Sequence, residues 1–375
     1  MKKTERRGPK NKFKKQQVKV IKTLSDSFRC LRLKQAAFEF FLFTPKKKHS
    51  KIFFLGILLV FLSICACKEN KTQQQQQKQV ELPPLADFNS DSAYAFVKAQ
   101  IDFGPRVPNT KAHVNCGDYL INKMKGWCDT VIVQAGTVTA FDKTRLSFRN
   151  IISSFNPQTK RRILLFAHWD TRPWSDQDTI NKDKPSLGAD DGASGVAVLM
   201  EIARQLKKNK TGIGIDIIFF DAEDWGMEGG GPGAEDSYAL GTQYWAGKLH
   251  VNNYTADYGI LLDMVGAKGA QFRKEGLSRT EAGFVVDKVW QMANRLGYSS
   301  YFLYEDGGWV TDDHVYVNQI NIPSIDIIHS SHATKSGFPA HWHTHADNID
   351  VIDRNVMKAV GQTLIGVIYW SEENY

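Results

Sequence analysis

Five side chains of the kinds that hold a divalent cation recur at the ends of apolar runs in this 375-residue chain. They are His168 in AHWD, Asp191 in GADDGASG, Asp224 in FFDAED, Asp263 in LLDMVG and His343 in HWHT. Imidazole and carboxylate together suit zinc. Glu223 adjoins Asp224 at the end of a buried run. Adjacent side chains there point in different directions, so one can bind metal while the other moves a proton. A solvated turn is the bland alternative.

Other polar groups cluster around these five. Asp190 and Asp191 share a turn rich in small residues. A helix N-cap would account for one of them; the small flanking residues favour close approach to a cation, and one of the pair is expected to bind it. Asp170 lies two residues after His168, where it either orients that imidazole or is an exposed strand-end group. Asp312, Asp313 and His314 in TDDH read as a surface loop, a helix cap or a buried carboxylate bonded to a substrate amide. Five histidines fall between His329 and His345, and only one is expected to be a ligand.

The elements that must position these groups follow from periodicity. Runs 163–167, 213–220, 258–262 and 323–328 are short, apolar and β-rich, so they read as strands. Segments 194–206, 280–296 and 353–370 repeat apolar residues at helical spacing, and Gly297 is a C-cap signal. A further helix is read over 117–127. Near-continuous apolar strands alternating with helices define an α/β class: one globular domain with a central, mostly parallel mixed sheet flanked by helices. In such sheets, sites form beyond the carboxyl ends of strands. His168, Asp224 and Asp263 each come directly after a strand. Asp191 precedes the helix that starts near Ser194, and His343 follows the strand that ends at Ile328.

Charge divides the chain. Of its 48 Lys and Arg and 40 Asp and Glu, 17 and 3 fall in residues 1–51, so residues 52–375 carry 31 and 37, a formal charge of −6. The high pI therefore belongs to a basic leader, and nucleic acid is not an expected partner. Residues 52–66 are uncharged and apolar but short for a membrane span. They read as a secretory signal, and Ile64-Cys65-Ala66-Cys67 resembles a bacterial lipobox with Cys67 as the lipidated residue. A signal anchor or a cleaved signal are the alternatives. Residues 1–51 are taken as outside the mature fold, 52–67 as signal and lipobox, 68–82 as a polar Gln-rich tether and 83–375 as the catalytic domain. The expected location is exported, facing the periplasm or cell envelope, with a lipid anchor in a membrane. In an exported domain Cys116 and Cys128 could pair as a disulfide.

The ordered set FGPRVPNT, AHWD, GADDGASG, FFDAED, GTQYWA, LLDMVGA, DDH and HWHT resembles the zinc-dependent M28 peptidase clan, and within it the glutaminyl cyclases of the Bacteroidetes type. The resemblance covers residue 103 to the C-terminus. It implies Asp191, Asp224 and His343 as ligands of one zinc ion, Glu223 as general base and acid, Asp263 and Asp312 as carboxylates of a hydrogen-bond network beside the substrate, and Trp342 as an aromatic lining the pocket. It also implies the reaction. Zinc polarises the γ-carbonyl of an N-terminal glutamine in a peptide or protein, Glu223 shuttles a proton, and pyroglutamate forms with release of ammonia. Asp224 stands where the animal enzymes usually carry Glu, one methylene longer. His168 and Asp263 match the extra ligands of two-metal M28 aminopeptidases, which makes a secreted di-zinc aminopeptidase the rival reading.

Overall fold

The computed structural model describes residues 85–373. The leader, signal, lipobox and tether, including Cys67, lie outside the described residues. The described residues belong to one compact unit.

Strands β3 (Arg162–His168), β4 (Gly214–Phe220), β5 (Tyr258–Asp263) and β8 (Ser324–Ile328) are buried at every residue. The reason is visible in their alternation. In β3, Ile163, Leu165 and Ala167 join one core cluster, while Leu164 and Phe166 join another on the opposite face. A strand covered on both faces needs apolar residues at every position. These four strands are parallel, in the order β4-β3-β5-β8. Strand β2 (Arg145–Phe155) pairs antiparallel with β4, and β1 (Thr130–Thr139) closes that edge antiparallel to β2. The sheet is thus mixed with a parallel centre, as the apolar runs imply. A short parallel pair, β6 (Phe272–Lys274) and β7 (Phe302–Asp306), stands apart.

Helices α1 (Ser90–Ile101), α2 (Lys111–Trp127), α3 (Ala193–Lys208), α5 (Gly276–Arg295) and α7 (Arg354–Glu373) contribute to the larger core. Helix α4 (Leu240–Gly247) and α6 (Asp313–Gln319) supply Trp245 and Val317 to the other face. The periodicity places α5 from Thr280, but it begins at Gly276 because the Glu275 side chain accepts from the amides of Leu277 and Ser278, at 2.8 and 2.6 Å. Glutamate is an unusual N-cap, which hides this start from sequence. Gly297 ends the helix at φ +84°, with the Tyr298 amide donating to Ala293 at 2.8 Å.

Pattern marks neither the edge strand β1 nor its neighbour β2. Strand β1 is half exposed throughout, so it shows no apolar run. The expectation of a Cys116–Cys128 disulfide is overturned: both are buried free thiols. Helix α2 runs unbroken from Lys111 to Trp127 and carries Cys116 in its second turn, with Cys128 just past its end. Twelve residues of helix hold them about 18 Å apart, far beyond disulfide reach.

One buried charge braces the far end of the sheet. Asp216 on β4 accepts from Arg162 Nη2 at 2.8 Å, Tyr254 Oη at 2.7 Å and Ser154 Oγ at 2.6 Å. Removing one partner of such a buried pair costs about 3–5 kcal/mol, because the other charge stays desolvated. Asp216→Ala is therefore expected to lower unfolding free energy by about that amount in urea denaturation; a loss within experimental error would refute the role.

Candidate metal centre and active site

Strand register alone brings the first two groups together. Phe166 of β3 pairs with Leu261 of β5, so His168 and Asp263, two residues on in each, end side by side. His168 also pairs with Phe220 of β4, which sends the next turn, 221–224, over the same sheet edge. The strand order reverses here, with β4 on one side of β3 and β5 on the other.

Backbone-directed carboxylates shape the loops. Asp170 accepts from the amides of Glu223 and Asp224, at 3.0 and 3.2 Å. Its nearer oxygen is 3.7 Å from His168 Nδ1, so Asp170 anchors the Glu223–Asp224 turn more closely than it orients the imidazole. Asp347 does the same for the amides of Asp190 and Asp191, at 2.7 and 3.2 Å. Arg106, from FGPRVPNT, is fully buried and donates to the carbonyls of Trp169, Leu187 and Gly188. It ties the loop after β3 to the turn that carries Asp191. Gly192 has to be glycine, since a Cβ there would fall on the His168 ring. His343 itself sits at φ +53°, a left-handed conformation rare for a non-glycine residue.

These devices bring the predicted ligands into two sets that share Asp191. Asp191, Asp224 and His343 offer three ligand atoms within 4.8 Å of one another, and so do His168, Asp191 and Asp263. Their internal spacing differs. His343 Nε2 lies 3.3 Å from Asp224 Oδ1 and 3.7 Å from Asp191 Oδ2. Tetrahedral ligation at zinc bond lengths puts ligand atoms about 3.3–3.6 Å apart, so this set has the spacing of an ion seat. In the other set His168 Nε2 is 3.0 Å from Asp191 Oδ1 and 3.2 Å from Asp263 Oδ1, which is hydrogen-bond spacing. Burial disfavours a charged His168, yet the carboxylates of Asp170, Asp191 and Asp263 around its ring raise its pKa well above the ordinary value. His168 thus joins Asp191 and Asp263 in a hydrogen-bonded cluster beside the triad. Two carboxylates and an imidazole, all buried, fit zinc.

Of the paired aspartates, Asp190 is occupied elsewhere. Its oxygens take the Gly266 amide at 2.8 Å and His341 Nε2 at 2.9 Å. His345 pairs with Asp178 at 2.8 Å, leaving His343 as the histidine of its loop that faces Asp191 and Asp224.

A cavity of about 440 Å³ opens over the triad, lined also by Glu223, Asp263, Asp312 and Trp342. Burial, with repulsion from Asp312, Asp224 and Asp313 against the attraction of His168, raises the Glu223 pKa well above the usual carboxylate range. Burial likewise pushes Asp263 to about 6 and Asp312 to about 7. Asp312 caps α6 through the Asp313 amide, and its Oδ2 is buried without a hydrogen-bond partner among the described residues. Trp342 stacks on the His343 ring, with centroids 3.7 Å apart, and packs against Phe338.

The residue that sequence reading missed most completely is Arg172, in the TRPW that follows AHWD. Buried to 1% exposure, it donates to both oxygens of Asp176, at 3.0 and 2.7 Å, and to the Asp224 carbonyl at 3.2 Å. The same nitrogen lies 3.4 Å from Asp224 Oδ1, while Asp176 Oδ1 is 3.4 Å from His343 Nδ1. One guanidinium thus backs two of the three triad residues. Nothing in the local sequence marks it, because an arginine after a strand is ordinarily a surface group.

The Peptidase family M28 model matches residues 150–368, and the chain belongs to that family. Within the family its likeness is to glutaminyl cyclases. The solved glutaminyl cyclase of Bacteroides thetaiotaomicron is 50% identical, with a TM-score of 0.74, over 76% of this chain and 99% of that one. A Zn-dependent exopeptidase from Parabacteroides distasonis is 54% identical, with a TM-score of 0.74 over the same shares. The glutaminyl-peptide cyclotransferase of Bos taurus is 28% identical over 252 residues, a match spanning 58% of this chain and 64% of the bovine one.

Loss of a group that orients metal ligands typically weakens affinity about 10–100-fold. Arg172→Gln is expected to weaken zinc binding by about that factor, read by competition with a chromophoric chelator, while the circular dichroism spectrum stays that of the parent. Unaltered zinc affinity would remove Arg172 from the site.

Proposed function

We propose that this chain is a glutaminyl-peptide cyclotransferase that binds one zinc ion and converts the N-terminal glutamine of peptides and proteins to pyroglutamate, releasing ammonia. The observation that carries this reading is Glu223: a buried carboxyl with a strongly raised pKa, in the same cavity as the Asp191–Asp224–His343 triad. The spacing of His168 between Asp191 and Asp263 supports one ion rather than two. Zinc, when bound, supplies Lewis acidity to the substrate's γ-carbonyl.

The chain's own groups account for the rest. The substrate's α-nitrogen forms a bond to the side-chain amide carbon, and the bond from that carbon to the amide nitrogen breaks. One proton moves from the attacking amine to the leaving nitrogen, and no water is consumed. Glu223 takes that proton and returns it; a carboxyl with a raised pKa is suited to both halves of the transfer. The unpartnered oxygen of Asp312 accepts a hydrogen bond from the substrate, and Asp263 holds its polar end on the same wall. Trp342 covers the folded glutamine and excludes water. Glu223→Gln is expected to keep zinc and lower turnover by at least about 100-fold, the usual contribution of a general base. Ammonia release from a glutamine peptide, with and without chelator, reads this directly. Cleavage of a leucine amide with no ammonia from the glutamine peptide would make the chain an aminopeptidase instead.

The same reading places the catalytic domain outside the cytoplasm on a lipid anchor. Its support is the sequence: Lys46, Lys47, Lys48 and Lys51, then an uncharged run ending at Cys67. Cys67→Ala is expected to move the protein from the membrane to the soluble fraction on detergent-free fractionation; persistence in the membrane would discard lipidation at that residue.

A further inference from the structure

The cavity mouth carries a side chain that the cyclisation does not use. Trp309 lines the cavity and is 72% exposed, the most exposed of the large hydrophobic side chains among the described residues. Its loop is held in place. The Gly307 amide donates to Lys274 at 2.8 Å, the Gly276 amide to Gly308 at 2.8 Å, and the Val310 amide to Glu275 Oε1 at 3.1 Å. One side of the indole lies against Gly276, where any Cβ would strike the ring. An anchored backbone thus presents a large aromatic ring to solvent, an arrangement that favours a ligand over the monomer's own core.

Position relative to the floor identifies the ligand. Trp309 is three residues before Asp312, and the chain between them lines the cavity throughout. Three extended residues span about 10 Å at most, so the Trp309 and Asp312 Cα atoms sit within that distance of each other. An extended dipeptide spans about 7 Å, which places the residue after an N-terminal glutamine at this rim. The rim is also charged. Glu228 and Glu235 are exposed there, no lysine or arginine lines the cavity, and neither carboxylate has a cationic partner among the described residues. Two exposed carboxylates at an entrance without lysine or arginine repel acidic substrates, although Glu228 also comes within 4.8 Å of His343.

We propose that Trp309, with Glu228 and Glu235, forms a subsite for the second residue of the peptide, selecting aromatic side chains and rejecting acidic ones. This rests on the cyclotransferase reading above. Gln-Phe, Gln-Ala and Gln-Glu peptide amides separate the two ideas. Ammonia release by the parent chain is expected to give a kcat/KM for Gln-Phe about five- to tenfold above that for Gln-Ala, carried by KM, with Gln-Glu poorest. Trp309→Ala should bring the Gln-Phe to Gln-Ala ratio to about one, carried by KM, with zinc content that of the parent. Trp309→Phe should retain most of the Gln-Phe advantage. Glu228→Gln with Glu235→Gln should raise Gln-Glu selectively. Titrating the same peptides into Glu223→Gln by calorimetry reads the subsite with turnover removed. An unchanged Gln-Phe to Gln-Ala ratio in Trp309→Ala, in either measurement, overturns the subsite. Absence of ammonia from all three peptides, with a Trp309-dependent preference in calorimetry, instead overturns the cyclotransferase reading and leaves the subsite standing.

Discussion

Like-charge crowding is the constraint on which the rest of this molecule depends. Asp191, Glu223, Asp224, Asp263 and Asp312 all line one cavity of about 440 Å³ at the carboxyl ends of parallel strands. In a desolvated site such a group is tolerable only with opposing charge or with protons held against their normal tendency. The structure uses both. Arg172 supplies a cation, His168 hydrogen-bonds Asp191 and Asp263, and the pKa values of Glu223, Asp263 and Asp312 rise. A divalent ion on Asp191, Asp224 and His343 would relieve the remainder, so metal binding and the proton chemistry of Glu223 share one electrostatic cause.

Holding such groups at short range takes rigid backbone, and the fold provides it mainly through carboxylates that bind amides. Asp170 fixes the Glu223–Asp224 turn and Asp347 the Asp190–Asp191 turn, each with a pair of hydrogen bonds. Arg106 fastens the loop after β3 to the turn that carries Asp191 through three carbonyls. None of these three lines the cavity. They define the geometry of the groups that do, which is where the precision of a metal site usually resides.

The two candidate ligand sets share Asp191 and differ in spacing by a few tenths of an ångström. Residues that resemble the extra ligands of di-zinc aminopeptidases are all present, so ligand identity leaves the reaction open. Spacing separates the two sets: His168 is at hydrogen-bond distance from both of its carboxylates, whereas His343 stands off from its own.

Much of this was legible in the chain itself. Covered on both faces, β3, β4, β5 and β8 are apolar at most positions, so they and the polar residues at their ends are conspicuous by pattern. His168, Asp191, Asp224, Asp263 and His343 could be picked out for that reason, as could the pairing of Glu223 with Asp224. Half-exposed β1 and the glutamate-capped start of α5 could not, because their signals are weak or atypical. Local order in the sequence thus determined which residue types stand at the sheet edge. Only the tertiary structure decided which of Asp190 and Asp191 faces His343, that Cys116 and Cys128 are kept apart by an unbroken helix, and that Arg172 stands behind the site. Each of those outcomes is set by contacts between segments distant along the chain, or by how a whole element runs, and residue type at one position carries neither.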